Sequence, residues 1–229
     1  MSAETLNTAS PPRMRIVYRI GRVLVRSVFL ILFRVRVFHL NRVPRTGGVL
    51  LVCNHESFLD PLAAALALPR DVHFMARDTL FRHFIFGVFI RAVNAFPVRR
   101  GASDVAAFKE ALRRLRAGGA LLVFPEGTRS CDGRVGSFHV GPILLARRAG
   151  VPIVPVALDG TFKAWPRDAR WPRPRAVRVT YGHPIPNSVI QRDDPPVLAE
   201  RIRTRIVQLR QTGRSGQQTR RKQPGVPSL

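Results

Sequence analysis

The sequence predicts an α/β fold: a mixed, largely parallel sheet flanked by helices on both faces. Three observations lead there. From residue 35 onward, short β-rich runs alternate with segments of helical length. Those runs are apolar at nearly every position instead of every second one, the mark of strands covered on both sides. A chain of 229 residues with 45% hydrophobic side chains is also long enough to bury one sizeable core.

Residues 1–12 are polar and end in Pro11-Pro12, so they are expected to lack order. In residues 13–34, Arg15, Arg19, Arg22 and Arg26 recur every three or four positions and share one helical face, while Ile16, Ile20 and Val23 cover much of the rest. The longest unbroken apolar stretch, Val28 to Phe33, is too short to span a bilayer. The segment reads as a basic amphipathic, membrane-associating helix lying in the interface, with packing against the protein's own core as the alternative. Strands are expected at "VRVFHL" (35–40), "GVLLVC" (48–53), "VHFMA" (72–76), "NAFPV" (94–98), "ALLVF" (120–124), "PIVPVAL" (152–158) and "AVRVTYG" (176–182). Helices are expected at 61–68, 80–92, 103–117, 140–149 and 195–211. The tail 212–229 is polar, basic and carries Pro and Gly, so it is expected to be disordered.

Charge is the outstanding compositional feature. Lys+Arg number 38 against 14 Asp+Glu, a formal net charge of +24. All but Lys109, Lys163 and Lys222 of the basic residues are arginine, which a G+C-rich genome favours, but such a bias does not explain the shortage of acids. A field this positive implies polyanionic partners: nucleic acid, anionic lipid headgroups or phosphorylated substrates. Cys53 and Cys131 form neither a disulfide framework nor a metal-ligand spacing, and Cys53 reads as a small buried hydrophobe. The N-terminus lacks the pattern of a secretory signal.

Three polar islands follow predicted strands, where α/β sheets place their functional groups. They are "NHESFLD" (54–60), "RRG" (99–101) and "PEGTRSCDG" (125–133). In the first, Ser57 and Asp60 match a capping box, or Asp60 is the N-cap and Pro61 the first helical residue. Neither reading accounts for His55. Residues five apart on a helix differ by about 140° in direction, so His55 reaches Asp60 only if it lies in the turn before the helix. In the third island Arg129 suits bidentate phosphate recognition and Glu126 can accept from a polyol hydroxyl, with a surface ion pair between the two as the plain alternative. The H-E-x-x-H zinc motif fails at Leu59, Ser57 lacks a G-x-S-x-G elbow, and no phosphate-binding glycine loop occurs. No metal site is expected. The phenylalanines lie in apolar runs and no zinc-finger or basic-zipper signature is present, so nucleic acid is not an expected partner.

Taken together and in order, "NHESFLD", "AFPVRRG", "FPEGTRS" and "VPIVPVAL", with "VHFMARDTLFR" between the first two, resemble the glycerophospholipid acyltransferases, the 1-acylglycerol-3-phosphate acyltransferase family, over about residues 36–186. The resemblance implies an acyltransferase domain at 35–211. It implies that His55 is the general base for the acceptor hydroxyl and that Asp60 orients it. Glu126, Gly127, Thr128 and Arg129 match the family's acceptor-binding motif. Arg100 aligns with a further substrate-binding arginine, with Arg99 beside it and Asn54 as additional candidates. The chain departs from the family pattern in carrying Arg99 for the usual acid, and Arg77 and His139 where lysine is common. The donor implied is an acyl thioester, acyl-CoA or acyl carrier protein, used as a substrate with no cofactor. Backbone N–H groups near the turn are expected to stabilise the oxyanion. The acceptor is a membrane lipid, lysophosphatidate giving phosphatidate, met at an anionic membrane surface on the cytoplasmic face. Another lyso-lipid acceptor is the alternative within this class; a non-catalytic basic lipid- or nucleic-acid-binding protein is the alternative outside it.

Overall fold

The computed structural model describes residues 27, 29–66, 68, 70–79, 95–98 and 105–221. All seven expected runs form strands: β1 (Arg36–Phe38), β2 (Val49–Cys53), β3 (Val72–Arg77), β4 (Ala95–Val98), β5 (Ala120–Val123), β6 (Ile153–Asp159) and β7 (Arg178–Tyr181). They form one sheet in the order β1-β7-β6-β2-β5-β3-β4. Every neighbouring pair is parallel except β6 with β7. The mixed, largely parallel α/β sheet is as the sequence predicts.

Central strand β2 shows why its run is uniformly apolar. Side chains alternate across a strand, so Val49, Leu51 and Cys53 enter one core while Leu50 and Val52 enter the other. Helix α1 (Asp60–Leu66) covers the first face with Leu59, Ala63 and Ala64 nearby. The second is covered by α2 (Val105–Arg116), α3 (Gly141–Ala149), α5 (Asn187–Arg192) and α6 (Pro195–Arg221). Leu198, Ile202 and Ile206, four residues apart on one stripe of α6, are fully buried. Burying each of them stabilises the fold by about 1.5–3 kcal/mol.

Two short helices carry too few residues to show a period in the sequence: α4 (Thr161–Ala164) and α5. The expected helix at 80–92 lies outside the described residues. So do residues 1–26, including most of the expected interface helix, and residues 222–229. What is described of the 13–34 segment is helical at 27 and 29–32. Phe29 and Phe33 are buried with ring centroids 4.8 Å apart, while Ile31 and Leu32 are exposed. The tail requires a correction: α6 runs on to Arg221, ten residues past the expected end at 211. Gln211, Arg214, Gln217 and Gln218 favour helix, and Gly213 and Gly216, at about 1 kcal/mol each, do not break it. Because that stretch is polar all round, no apolar period reveals it.

The antiparallel β6–β7 pair has one further consequence. The C-terminal ends of β2, β5 and β6 lie at one edge of the sheet. Asp159, at the end of β6, pairs with Arg178, at the start of β7, and Arg178 pairs with Arg36, at the start of β1. The chain therefore enters β7 and β1 at the same edge at which it leaves β2 and β5.

Candidate active site

At that edge β2 ends with Cys53, and residues 54–57 form an extended turn before α1. Asn54 fixes the turn's base. Its amide donates to Leu158 O at 3.1 Å and accepts from Leu158 N at 2.8 Å, and only 1% of the residue is exposed. This corrects the expectation of Asn54 as a substrate ligand: a buried amide bonded at both ends to β6 ties two strands together.

Asp60 organises the rest of the turn. Its Oδ2 accepts from Glu56 N at 2.6 Å and Ser57 N at 2.7 Å, while Ser57 Oγ accepts from Leu59 N at 3.1 Å. Asp60 reaches back to Ser57 N as the acid of a capping box does, while Ser57 Oγ takes the amide of Leu59 and not that of Asp60, so half of the expected box is observed. The same Oδ2 meets His55 Nδ1 at 2.8 Å. An oxygen already accepting two backbone N–H groups cannot offer a proton to the ring, so Nδ1 carries the hydrogen and Nε2 the lone pair. The His55 ring stacks on Phe124, centroids 4.1 Å apart, which fixes its plane. The His55 side chain remains 16% exposed, whereas the Asp60 side chain is sealed from solvent. The i, i+5 pair thus meets because His55 precedes the helix.

The loop after β5 holds His55 by its backbone. Glu126 Oε1 accepts from His55 N at 2.7 Å and Oε2 from Gly136 N at 3.0 Å, and Ser130 N donates to His55 O at 2.8 Å. Burial pushes the Glu126 carboxyl up, against the pull of those N–H donors. Glu126, expected as a ligand for substrate, thus clamps the turn that carries His55. Gly127 turns this loop at φ +68°, a left-handed conformation that glycine adopts without strain. Gly127 and Thr128 are exposed. The Arg129 guanidinium lies over the Phe58 ring, 3.5 Å from its centroid, on the loop that clamps His55. Arg99 and Arg100 lie outside the described residues. The amides of His55, Glu56 and Ser57 are all taken by carboxylates, so N–H groups left to meet an oxyanion lie elsewhere around the turn.

One part of the site has no counterpart in the sequence reading. Glu56 is fully buried; its Oε1 accepts from Thr161 Oγ1 at 2.9 Å and Phe162 N at 3.3 Å. Its Oε2 meets Arg210 Nη2 at 2.9 Å, and Arg210 Nη1 donates to Gly133 O at 3.1 Å. Burial raises the Glu56 carboxyl to about 7, although the Arg210 charge pulls the other way. Helix α6 thereby ties together the loops after β2 and β5. The sequence signal for Glu56 is its position beside His55 in an acid-poor chain. Arg210, 154 residues away among many arginines, carries none. Cys53 is buried, and burial pushes its thiol well up, so it offers no thiolate nucleophile. Among the described residues, no group of three or more His, Cys, Asp or Glu could hold a metal ion.

A family model described as Acyltransferase matches residues 34–159, more than half of the chain and the span from β1 through β6. The chain belongs to the acyltransferase family. The chloroplastic 1-acyl-sn-glycerol-3-phosphate acyltransferase of Arabidopsis thaliana is 34% identical over 137 residues, which is 58% of this chain and 38% of that protein. The 1-acyl-sn-glycerol-3-phosphate acyltransferase of Bacillus subtilis is 28% identical over 127 residues, 55% of this chain and 63% of that protein. The chain thus spans less than two thirds of the length of these curated relatives. The crystal structure of the 1-acyl-sn-glycerophosphate acyltransferase of Thermotoga maritima matches with a TM-score of 0.69 at 22% identity, covering 95% of this chain and 86% of that one, a likeness of fold.

Proposed function

We propose that this acyltransferase moves an acyl chain from an acyl thioester, acyl-CoA or acyl carrier protein, to the free hydroxyl of 1-acylglycerol-3-phosphate, forming phosphatidate. The observation that carries the reading is the His55 Nδ1–Asp60 Oδ2 contact at 2.8 Å in the turn before α1, with the ring still open to solvent. Nε2 takes the proton of the acceptor hydroxyl as its oxygen attacks the thioester carbonyl. The tetrahedral intermediate expels the thiolate, which recovers that proton from Nε2; an ester bond forms and a thioester bond breaks. Asp60 stabilises the imidazolium between the two transfers. A thioester is already activated, so no acyl-enzyme is required, consistent with a buried Cys53. Arg129, on the loop that clamps His55, suits the acceptor phosphate, and Arg100 and Arg99 are further candidates for it. The relatives' names, 1-acyl-sn-glycerol-3-phosphate acyltransferases, support this acceptor. We place the enzyme at the cytoplasmic face of the membrane, where an anionic thioester and an anionic lipid both meet a +24 protein. No helix among the described residues is long and apolar enough to cross a bilayer.

The test is an acceptor panel with radiolabelled acyl-CoA and acyl carrier protein. Phosphatidate forming from lysophosphatidate faster than diacyl product from lysophosphatidylcholine or an amino-acid lyso-lipid is the expected result. Product from one of the other acceptors only would replace the phosphate acceptor, and no acyl transfer to any would overturn the assignment.

A further inference from the structure

We propose that residues 165–176, between α4 and β7, form a bilayer-contacting lobe that seats the mouth of the His55 site on an anionic lipid surface. The proposal deepens the lipid-acceptor reading and rests on it for its purpose, but its physical test does not depend on catalysis.

The segment carries Arg167, Arg170, Arg173 and Arg175 against Asp168, a net of 4 − 1 = +3, and all five are exposed. Trp171 is 71% exposed, with the Arg170 guanidinium 6.0 Å from its ring. An indole so exposed is costly in water and favoured at the headgroup level of a bilayer, where its ring meets acyl chains and its N–H meets water. Pro166, Pro172 and Pro174 restrict the backbone of a stretch in which residues 171–177 form neither helix nor strand.

Three contacts put the lobe at the site. Trp165 O accepts from Ser57 Oγ at 2.8 Å, the Trp165 ring lies 5.4 Å from that of Phe58, and Arg167 Nη1 reaches Cys131 Sγ, in the loop after β5, at 3.7 Å. At the far end of the segment, Val177 N donates to Phe33 O at 2.9 Å. This joins the lobe to the helical turn 29–32, whose Ile31 and Leu32 are 77% and 42% exposed. The reversal at β6–β7 is what brings these groups to one edge, since β1 and β7 both begin where β2 and β5 end. Exposed arginines beside an exposed indole and two exposed aliphatic side chains match an anionic bilayer, which offers phosphates above and acyl chains below. An acidic protein partner would satisfy the arginines and leave the apolar groups in water.

The full chain holds two tryptophans, Trp165 and Trp171. Trp165→Phe leaves Trp171 as the reporter. With phosphatidylglycerol vesicles its emission is expected to shift to the blue and to be quenched by brominated acyl chains, with far less response to phosphatidylcholine vesicles; Trp171→Phe in the otherwise native chain should abolish the quenchable component. Exchanging Arg170, Arg173 and Arg175 for Gln should weaken partitioning at low salt about fivefold per arginine, on the order of 100-fold in all. These variants should retain transfer between short-chain, water-soluble substrates and lose it with vesicle-embedded acceptor. An unshifted, unquenched Trp171 would overturn the proposal. Unchanged partitioning of the arginine variants would also overturn it, as would a loss confined to reactions with a carrier-protein donor. If Trp171 inserts but the native chain transfers no acyl group, the proposed function fails and the docking surface stands.

Discussion

Replacing Glu56 by Gln isolates one buried carboxyl whose protonation the fold controls. In the native chain it is sealed against Thr161, Phe162 and Arg210, and burial raises it from 4.5 to about 7. A folded-state value above the unfolded one means that, between those limits, the native protein holds a proton the unfolded chain has already released. Stability from this group is therefore complete below about pH 4.5, declines as pH rises, and is lost once pH passes about 7. The difference in pKa corresponds to about 3 kcal/mol. Gln keeps an acceptor for Thr161 Oγ1 and Phe162 N, leaves Arg210 bonded to Gly133 O, and does not titrate. Urea unfolding of both proteins, followed by circular dichroism at intervals from pH 4.5 to 7.5, gives the comparison, and taking the difference cancels every other titrating group. Native stability minus variant stability should fall by about 3 kcal/mol across that range. Parallel profiles would refute the reasoning, and a difference that grew with pH would show a carboxylate that is ionised throughout and held by Arg210.

Asp60→Asn keeps an oxygen for Glu56 N and Ser57 N but removes the charge facing His55 Nδ1; the protein should fold and kcat should fall by about 10²–10⁴ in a thiol-release assay. Asn54→Ala strands the buried N–H and C=O of Leu158 and should cost about 2–4 kcal/mol in chemical denaturation. If activity falls with stability unchanged, Asn54 touches substrate after all. Arg129→Lys loses the guanidinium contact on Phe58 and the forked donor, so KM for the phosphate-bearing acceptor should rise about tenfold with kcat little changed; an unaltered KM would remove Arg129 from acceptor binding.

Sheet and site differ in how far the sequence disclosed them. Strands such as Val49–Cys53 were legible because a central parallel strand is apolar at every position, and this run is short, valine-rich and bounded by Gly47-Gly48 and Asn54. The His55–Asp60 pair was legible because capping logic put the histidine before the helix and the aspartate in its first turn. The roles of Glu126 and Asn54 were not. A carboxylate or amide after a strand has the same letter whether it meets a substrate hydroxyl or a backbone N–H, and only the fold brings Gly136 or Leu158 into reach. Arg210 and Thr161 were hidden for a related reason. Each completes the site from more than 100 residues away, through single hydrogen bonds that leave no periodic trace. The polar end of α6 was missed because helix can continue on propensity alone, where periodicity is silent.

The central claim is that His55 Nε2 carries the acceptor's proton. Its most direct test is single-turnover acyl transfer from acyl-CoA to lysophosphatidate by the native protein and by His55→Ala, each first shown to be folded. The account predicts a rate lower by about 10² or more in the variant, with acceptor binding retained. Equal rates in the two proteins would contradict it.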